Sequence, residues 1–137
     1  MKRILYILLL CTLFVSCSSD DDKEEDTFLS KDAQIYSFKL IGENSEEQSI
    51  LNNIHFSIDQ FNKIIYYPNI IPINNRKYNI VMTFSKDAPS NVLIIYPNDS
   101  IVKWEYPKLI DLSLNPQIKV IAQDPTSERI YTISIKW

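Results

Sequence analysis

Glycine is nearly missing from this chain; Gly42 is the only one. One glycine cannot build a phosphate-cradling G-x-x-x-x-G-K-[ST] loop or a G-x-S-x-G nucleophile elbow, so enzymes of those types are excluded. Cysteine is also scarce. Cys11 and Cys17 are the two present, and both lie near the N-terminus. Residues 18–137 hold no thiol, which removes thiol catalysis, disulfide staples and cysteine-based metal sites from the folded part. The single histidine is His55. It has no second His or Cys to share a metal with, so no metal site is expected. It is read as an exposed or rim residue of a strand. Glu46 and Glu47 are the nearest thing to a carboxylate pair. They sit in a polar stretch and read as solvated, and no enzyme activity is expected.

Two further absences bear on location and partners. Beyond Ile4–Val15, no long apolar run exists, and that one falls short of the ~20 residues a membrane-spanning helix needs. An excess of either charge is missing from residues 27–137, which hold 11 Lys+Arg and 11 Asp+Glu. With no net field to attract phosphates, nucleic-acid binding is not expected.

What is present begins with Met1-Lys2-Arg3 and the apolar run Ile4–Val15. That is the charged start and apolar body of an export signal. Phe14-Val15-Ser16-Cys17 resembles a lipobox, with Leu13 one place before its usual slot. The resemblance implies that residues 1–16 are removed as a lipoprotein signal peptide and that Cys17 is the lipid attachment residue. Several acyl chains would give stable anchoring, at about 0.8 kcal/mol per buried CH₂. No cofactor is expected beyond that covalent lipid. Residues 17–32 then read as the lipidated cysteine and an acidic tether. Residues 20–26 carry six acids and one lysine, with nothing apolar to bury. Ser19 to Asp22 is similar to the surface-export signal of Bacteroidetes lipoproteins, which implies an outer-membrane, surface-exposed address.

Residues 33–137 read as one all-β domain. Hydrophobic residues make up 45% of the chain, with Ile prominent and eight Tyr, six Phe and two Trp, which is the composition of strands. Tyr36, Phe38 and Leu40 alternate on one face, as do Ile54, Phe56 and Ile58. Gly42 to Ser49 reads as a polar loop. Tyr78, Ile80, Met82 and Phe84 alternate cleanly. Val92 to Tyr96 is a continuous apolar run, as expected of a strand covered on both faces. Ile118–Gln123 and Ile130–Trp137 flank a turn at 124–128 and form an antiparallel hairpin, with Tyr131, Ile133, Ile135 and Trp137 facing inward. Short strands with turns between them predict an Ig-like antiparallel β-sandwich of about seven strands. The turns need residues that tolerate positive φ. With glycine absent, Asn62, Asn69, Asn74, Asn75, Asn98 and Asn115 are expected to supply it.

Several stretches then carry a family likeness: Phe56-Ser57-Ile58-Asp59-Gln60, Asn62 through Tyr66, Pro72, Asp99-Ser100-Ile101, Ile110-Asp111-Leu112-Ser113, Ile118 through Asp124 and Tyr131 through Ile135. Together they resemble the Ig-like N-terminal module of uncharacterised Bacteroidetes-type surface lipoproteins. The resemblance implies a fold and no functional residues. Relatives often place Gly after the Asp-Gln pair, where this chain has Asn62-Lys63. They often have Asp-Gly in the last hairpin, where it has Asp124-Pro125.

The one stretch with binding character is Trp104-Glu105-Tyr106. Alternation puts Trp104 and Tyr106 on one face, and Tyr96, Tyr67 and Tyr66 would widen an aromatic platform. The alternative is that these rings pack the core. The expected function is a lipid-anchored binding module for a glycan or another surface protein. A structural or accessory subunit of an outer-membrane assembly is the competing reading.

Overall fold

The computed structural model describes residues 28–137. The expected signal peptide, Cys17 and the acidic run lie outside the described residues. The described residues form nine strands: β1 (Ile35–Ile41), β2 (Ser57–Asp59), β3 (Ile64–Ile70), β4 (Lys77–Phe84), β5 (Asn91–Ile95), β6 (Ile101–Lys103), β7 (Leu109–Asp111), β8 (Gln117–Ile121) and β9 (Glu128–Lys136). One helix, α1 (Ser45–Leu51), and a 3₁₀ turn at Leu112–Leu114 complete them.

The strands form two sheets, ordered β1-β4-β7 and β2-β3-β9-β8-β5-β6. The chain is a β-sandwich. Setting β2 aside, the pairings follow the immunoglobulin pattern. The second long strand, β4, sits between the first strand and β7. In the other sheet the final hairpin continues through β8 to β5 and then β6. Strand count exceeds the expected seven by two, because β2 is added at a sheet edge and the leading strand is split. Its first half, β1, pairs with β4, and its later half, β3, crosses to run parallel to β9.

The core is mainly aliphatic, with Phe38, Tyr78 and Tyr131 its buried aromatics. Tyr78, Ile80 and Met82 of β4 pack against Ile94, Ile118, Val120, Tyr131 and Ile133 of the opposite sheet. The expected inward set of β9 holds: Tyr131 and Ile133 are buried, Ile135 and Trp137 pack against the core, and Thr132 and Ser134 face out. Tyr78 stacks on Trp137 with ring planes 9° apart, and the Arg76 guanidinium lies over the Trp137 ring, 4.5 Å from its centroid. Burial pushes the Tyr78 hydroxyl up to about 12.

A closed hydrogen-bond ring ties β1 to the other sheet. The Ile35 N–H donates to Tyr131 Oη at 3.2 Å, Tyr131 O–H donates to Gln60 Oε1 at 2.7 Å, and Gln60 Nε2 donates back to the Ile35 carbonyl at 2.6 Å. Every group in the ring has a partner, so burying it carries no orphan penalty.

Four expectations change. Tyr36 does not share the buried face of Phe38 and Leu40; it is 54% exposed. The register shifts between Ile35 and Ser37, and this irregularity reverses the phase, so Ile35 is the buried residue. The stretch from Gly42 to Ser49 is not all loop. Asn44 caps α1, its Oδ1 accepting the Glu47 N–H at 2.9 Å, while Glu47 accepts the Glu43 N–H at 3.1 Å. That Asn-x-x-Glu spacing is a helix-start signal. Gly42 serves close approach rather than positive φ, since a Cβ there would meet Gln48 N at 2.8 Å. Hydrogen-bonded packing also begins earlier than residue 33: the Asp124 N–H donates to the Ser30 carbonyl at 2.9 Å, and Ser127 Oγ donates to the Lys31 carbonyl at 2.7 Å.

The fourth change concerns the turns. Of the six asparagines, Asn115 alone has positive φ; Lys63 and Asp99 take the other two positive values. The turns are built chiefly by side chains. Asp32, Asp59, Asn75, Asn98, Asp111 and Asp124 each accept the N–H of the residue two positions on. This Asx arrangement replaces a backbone turn without requiring glycine.

Candidate functional site

The five aromatics expected to form one platform do not come together. Strand β6 ends at Lys103, so Trp104 lies past the strand. Its indole N–H donates to the Ile80 carbonyl at 3.1 Å, and its ring meets Phe84 edge-on. Tyr96 and Tyr67 pack against the core, Tyr67 beside Phe56. Tyr66 and Tyr106 are exposed. Tyr66 is on β3 and Trp104 follows β6, with β9, β8 and β5 between those strands. At ~4.8 Å per strand that separation is roughly 19 Å. Trp104 does line a shallow cleft of about 250 Å³ with Phe84, Ala88, Pro89, Val92 and Lys103. Small-molecule pockets usually span about 300–1,000 Å³, so this one is small for a ligand site.

A different surface gathers apolar side chains: the outer face of the six-stranded sheet. Paired residues share a face, so the register gives its rows. One row runs Lys103, Leu93, Lys119, Ile130. The next runs Ile101, Ile95, Gln117, Thr132, Ile64. Ile121 extends the face beside Asn91 and Glu128, and Tyr66 extends it beside Ser134. Ile101 is 60% exposed and Ile130 is 38% exposed. Leu93, Ile95, Ile121 and Ile64 are half-buried. The charged groups within the patch partly neutralise one another, Lys119 Nζ lying 2.9 Å from Glu128 Oε2.

Sequence reasoning missed this face, although the signal was there. Val92 to Tyr96 reads as a strand covered on both sides, yet only Val92 and Ile94 are buried. Leu93 and Ile95 belong to the outer face, and among the described residues no element lies over them.

His55 is exposed, and among the described residues no group of His, Cys, Asp or Glu is placed to hold a metal ion. Three polar residues of the family likeness, Asp59, Gln60 and Asp111, hold local structure. Asp59 Oδ1 accepts the Phe61 and Asn62 N–H groups at 3.0 and 2.9 Å, and these bonds hold its carboxyl below the usual value of 3.8. Gln60 belongs to the ring with Tyr131 and Ile35. Asp111 accepts from Ser113 at the head of the 3₁₀ turn.

A family model for the N-terminal domain of DUF6242, a domain of unknown function, matches residues 18–135. The chain belongs to this family. The DUF6242 domain thus contains both sheets and the uncovered face, and its match begins one residue after Cys17. No curated protein and no solved structure matches the chain.

Proposed function

We propose that this protein is a lipid-anchored surface module that binds another protein through the outer face of its six-stranded sheet. The observation that carries the reading is the uncovered apolar row set centred on Leu93, Ile95, Ile101 and Ile130. A strand that is apolar on both sides, with one side bare, favours a macromolecular partner. A flat face of this kind suits a protein, whereas stacking on sugar rings calls for a shaped aromatic surface, and the aromatics here are dispersed. The anchor rests on the lipobox-like Phe14–Cys17 and on a domain match that begins at Ser18. In this reading the address is the outer membrane, with the domain displayed by the acidic run. A structural subunit of a larger outer-membrane assembly uses the same face, and the two readings differ only in whether the partner is permanent.

Detergent phase partitioning tests the anchor. The wild-type chain is expected in the detergent phase and Cys17→Ala in the aqueous phase. A Cys17→Ala protein that stays with the detergent overturns the lipoprotein reading.

A further inference from the structure

The two most exposed aromatics among the described residues, Phe28 and Phe61, lie toward one end of the sandwich. Phe28 is 99% exposed and Phe61 91%, with Leu29 at 55% and Tyr36 at 54%. The end is defined by where β9 begins. Ser30 is bonded to Gln123 and Asp124 in the turn that leads into β9, and Lys31 to Ser127. Arg129, the second residue of β9, donates to the Gln60 carbonyl at 3.3 Å, which places the β2–β3 turn and Phe61 beside the same end. Tyr36 joins through Asp32, whose carboxylate accepts its hydroxyl at 3.3 Å.

The backbone turn that carries Phe61 is braced. The Asp59 carboxylate accepts the Phe61 and Asn62 N–H groups and Asn62 Nδ2, so the turn is fixed before anything binds. A large apolar ring on a braced turn loses little freedom on burial.

This is also the end through which the chain continues toward Cys17. From Cys17 to Phe28 is 11 residues, at most about 40 Å of extended chain. We infer that this end of the domain rests on the lipid surface, with Phe61, Phe28 and Leu29 entering the headgroup–acyl boundary. The inference rests on the lipid-anchor reading above. Exposed aromatic and aliphatic groups suit that interface, where an apolar body is buried a few ångströms deep. The charge selects the kind of lipid. Lys31, Lys63 and Arg129 at this end are offset by Asp32, Asp59 and Asp124, and the six acids of residues 20–26 lie just before it. An uncharged bilayer surface therefore fits, and an anionic one does not. The rest of the outer sheet face is left free, because only its last row, Asn91, Ile121 and Glu128, borders this end, and Leu93, Ile95, Ile101 and Ile130 lie farther along the strands.

The test uses the full processed chain in phosphatidylcholine vesicles. A polarity-sensitive thiol dye is placed on Phe61→Cys, and separately on Asn74→Cys at the opposite end. Both positions are exposed, so both variants should keep the wild-type denaturant midpoint. Nitroxide-labelled acyl chains are expected to quench the dye at 61 several-fold more than at 74. The wild-type chain, with its thiol acylated, is expected to take up no dye. Dye on Cys17 in the wild type overturns the anchor reading and this inference together. An unlabelled wild type with equal quenching at 61 and 74 overturns the inference alone.

Discussion

At the scale of single residues, the fold answers its shortage of glycine with aspartate and asparagine side chains. Asp59, Asp111 and Asp124 each accept an N–H two positions on, and the carboxylate form is the better acceptor. This has a pH signature. The Asp59 carboxyl is lowered by its bonds from Asn62 and Phe61, and Asp124 by those from Thr126. A folded value below the unfolded one gives stability that is present above 3.8 and lost as pH falls through the lowered value. Asp59→Asn keeps an acceptor but cannot titrate. The gap in urea midpoint between wild type and Asp59→Asn should therefore narrow as pH drops from about 4 to about 2. A gap that stays constant across that range would show that the Asp59 charge contributes nothing. Lys63 takes a positive φ of 57°, where a side chain carries strain that a glycine would not.

At the scale of elements, the last hairpin was the most legible part of the sequence. Alternation from Tyr131 to Trp137 reads correctly because the strand has one core face and one solvent face. Truncating a buried Ile typically costs about 2–5 kcal/mol, against a domain total of about 5–15. Ile133→Ala should lower the urea midpoint markedly with the slope m nearly unchanged, while Thr132→Ala should move it little. Equal losses at the two positions would mean that β9 is covered on both sides. Other elements were less legible for identifiable reasons. The phase of β1 was hidden by the irregularity after Ile35, because period-2 reading assumes an unbroken strand. The helix α1 was hidden because seven residues give too few turns to show a period, although the Asn44 cap and Glu47 mark its start. Trp104 misled because the strand stops one residue before it, and its indole turns to the Ile80 carbonyl.

At the scale of the whole molecule, the two-sheet architecture was readable from strand spacing and turn composition, but the candidate face was not. Leu93 and Ile95 are apolar in the same run as Val92 and Ile94, and no local pattern says which side lacks a covering layer. Only the sheet order shows it, because β6, β5, β8, β9 and β3 bring Ile101, Leu93, Ile95, Ile121, Ile130 and Ile64 onto one surface. The central claim is that this surface meets another protein. Photo-crosslinking in cells tests it most directly, with benzoylphenylalanine placed at Ile101, at Ile130 and, as a control, at exposed Lys39 on the other sheet. One defined protein adduct shared by positions 101 and 130 and absent from 39 is the result expected. No adduct from 101 and 130, or the same adducts from all three positions, would contradict it.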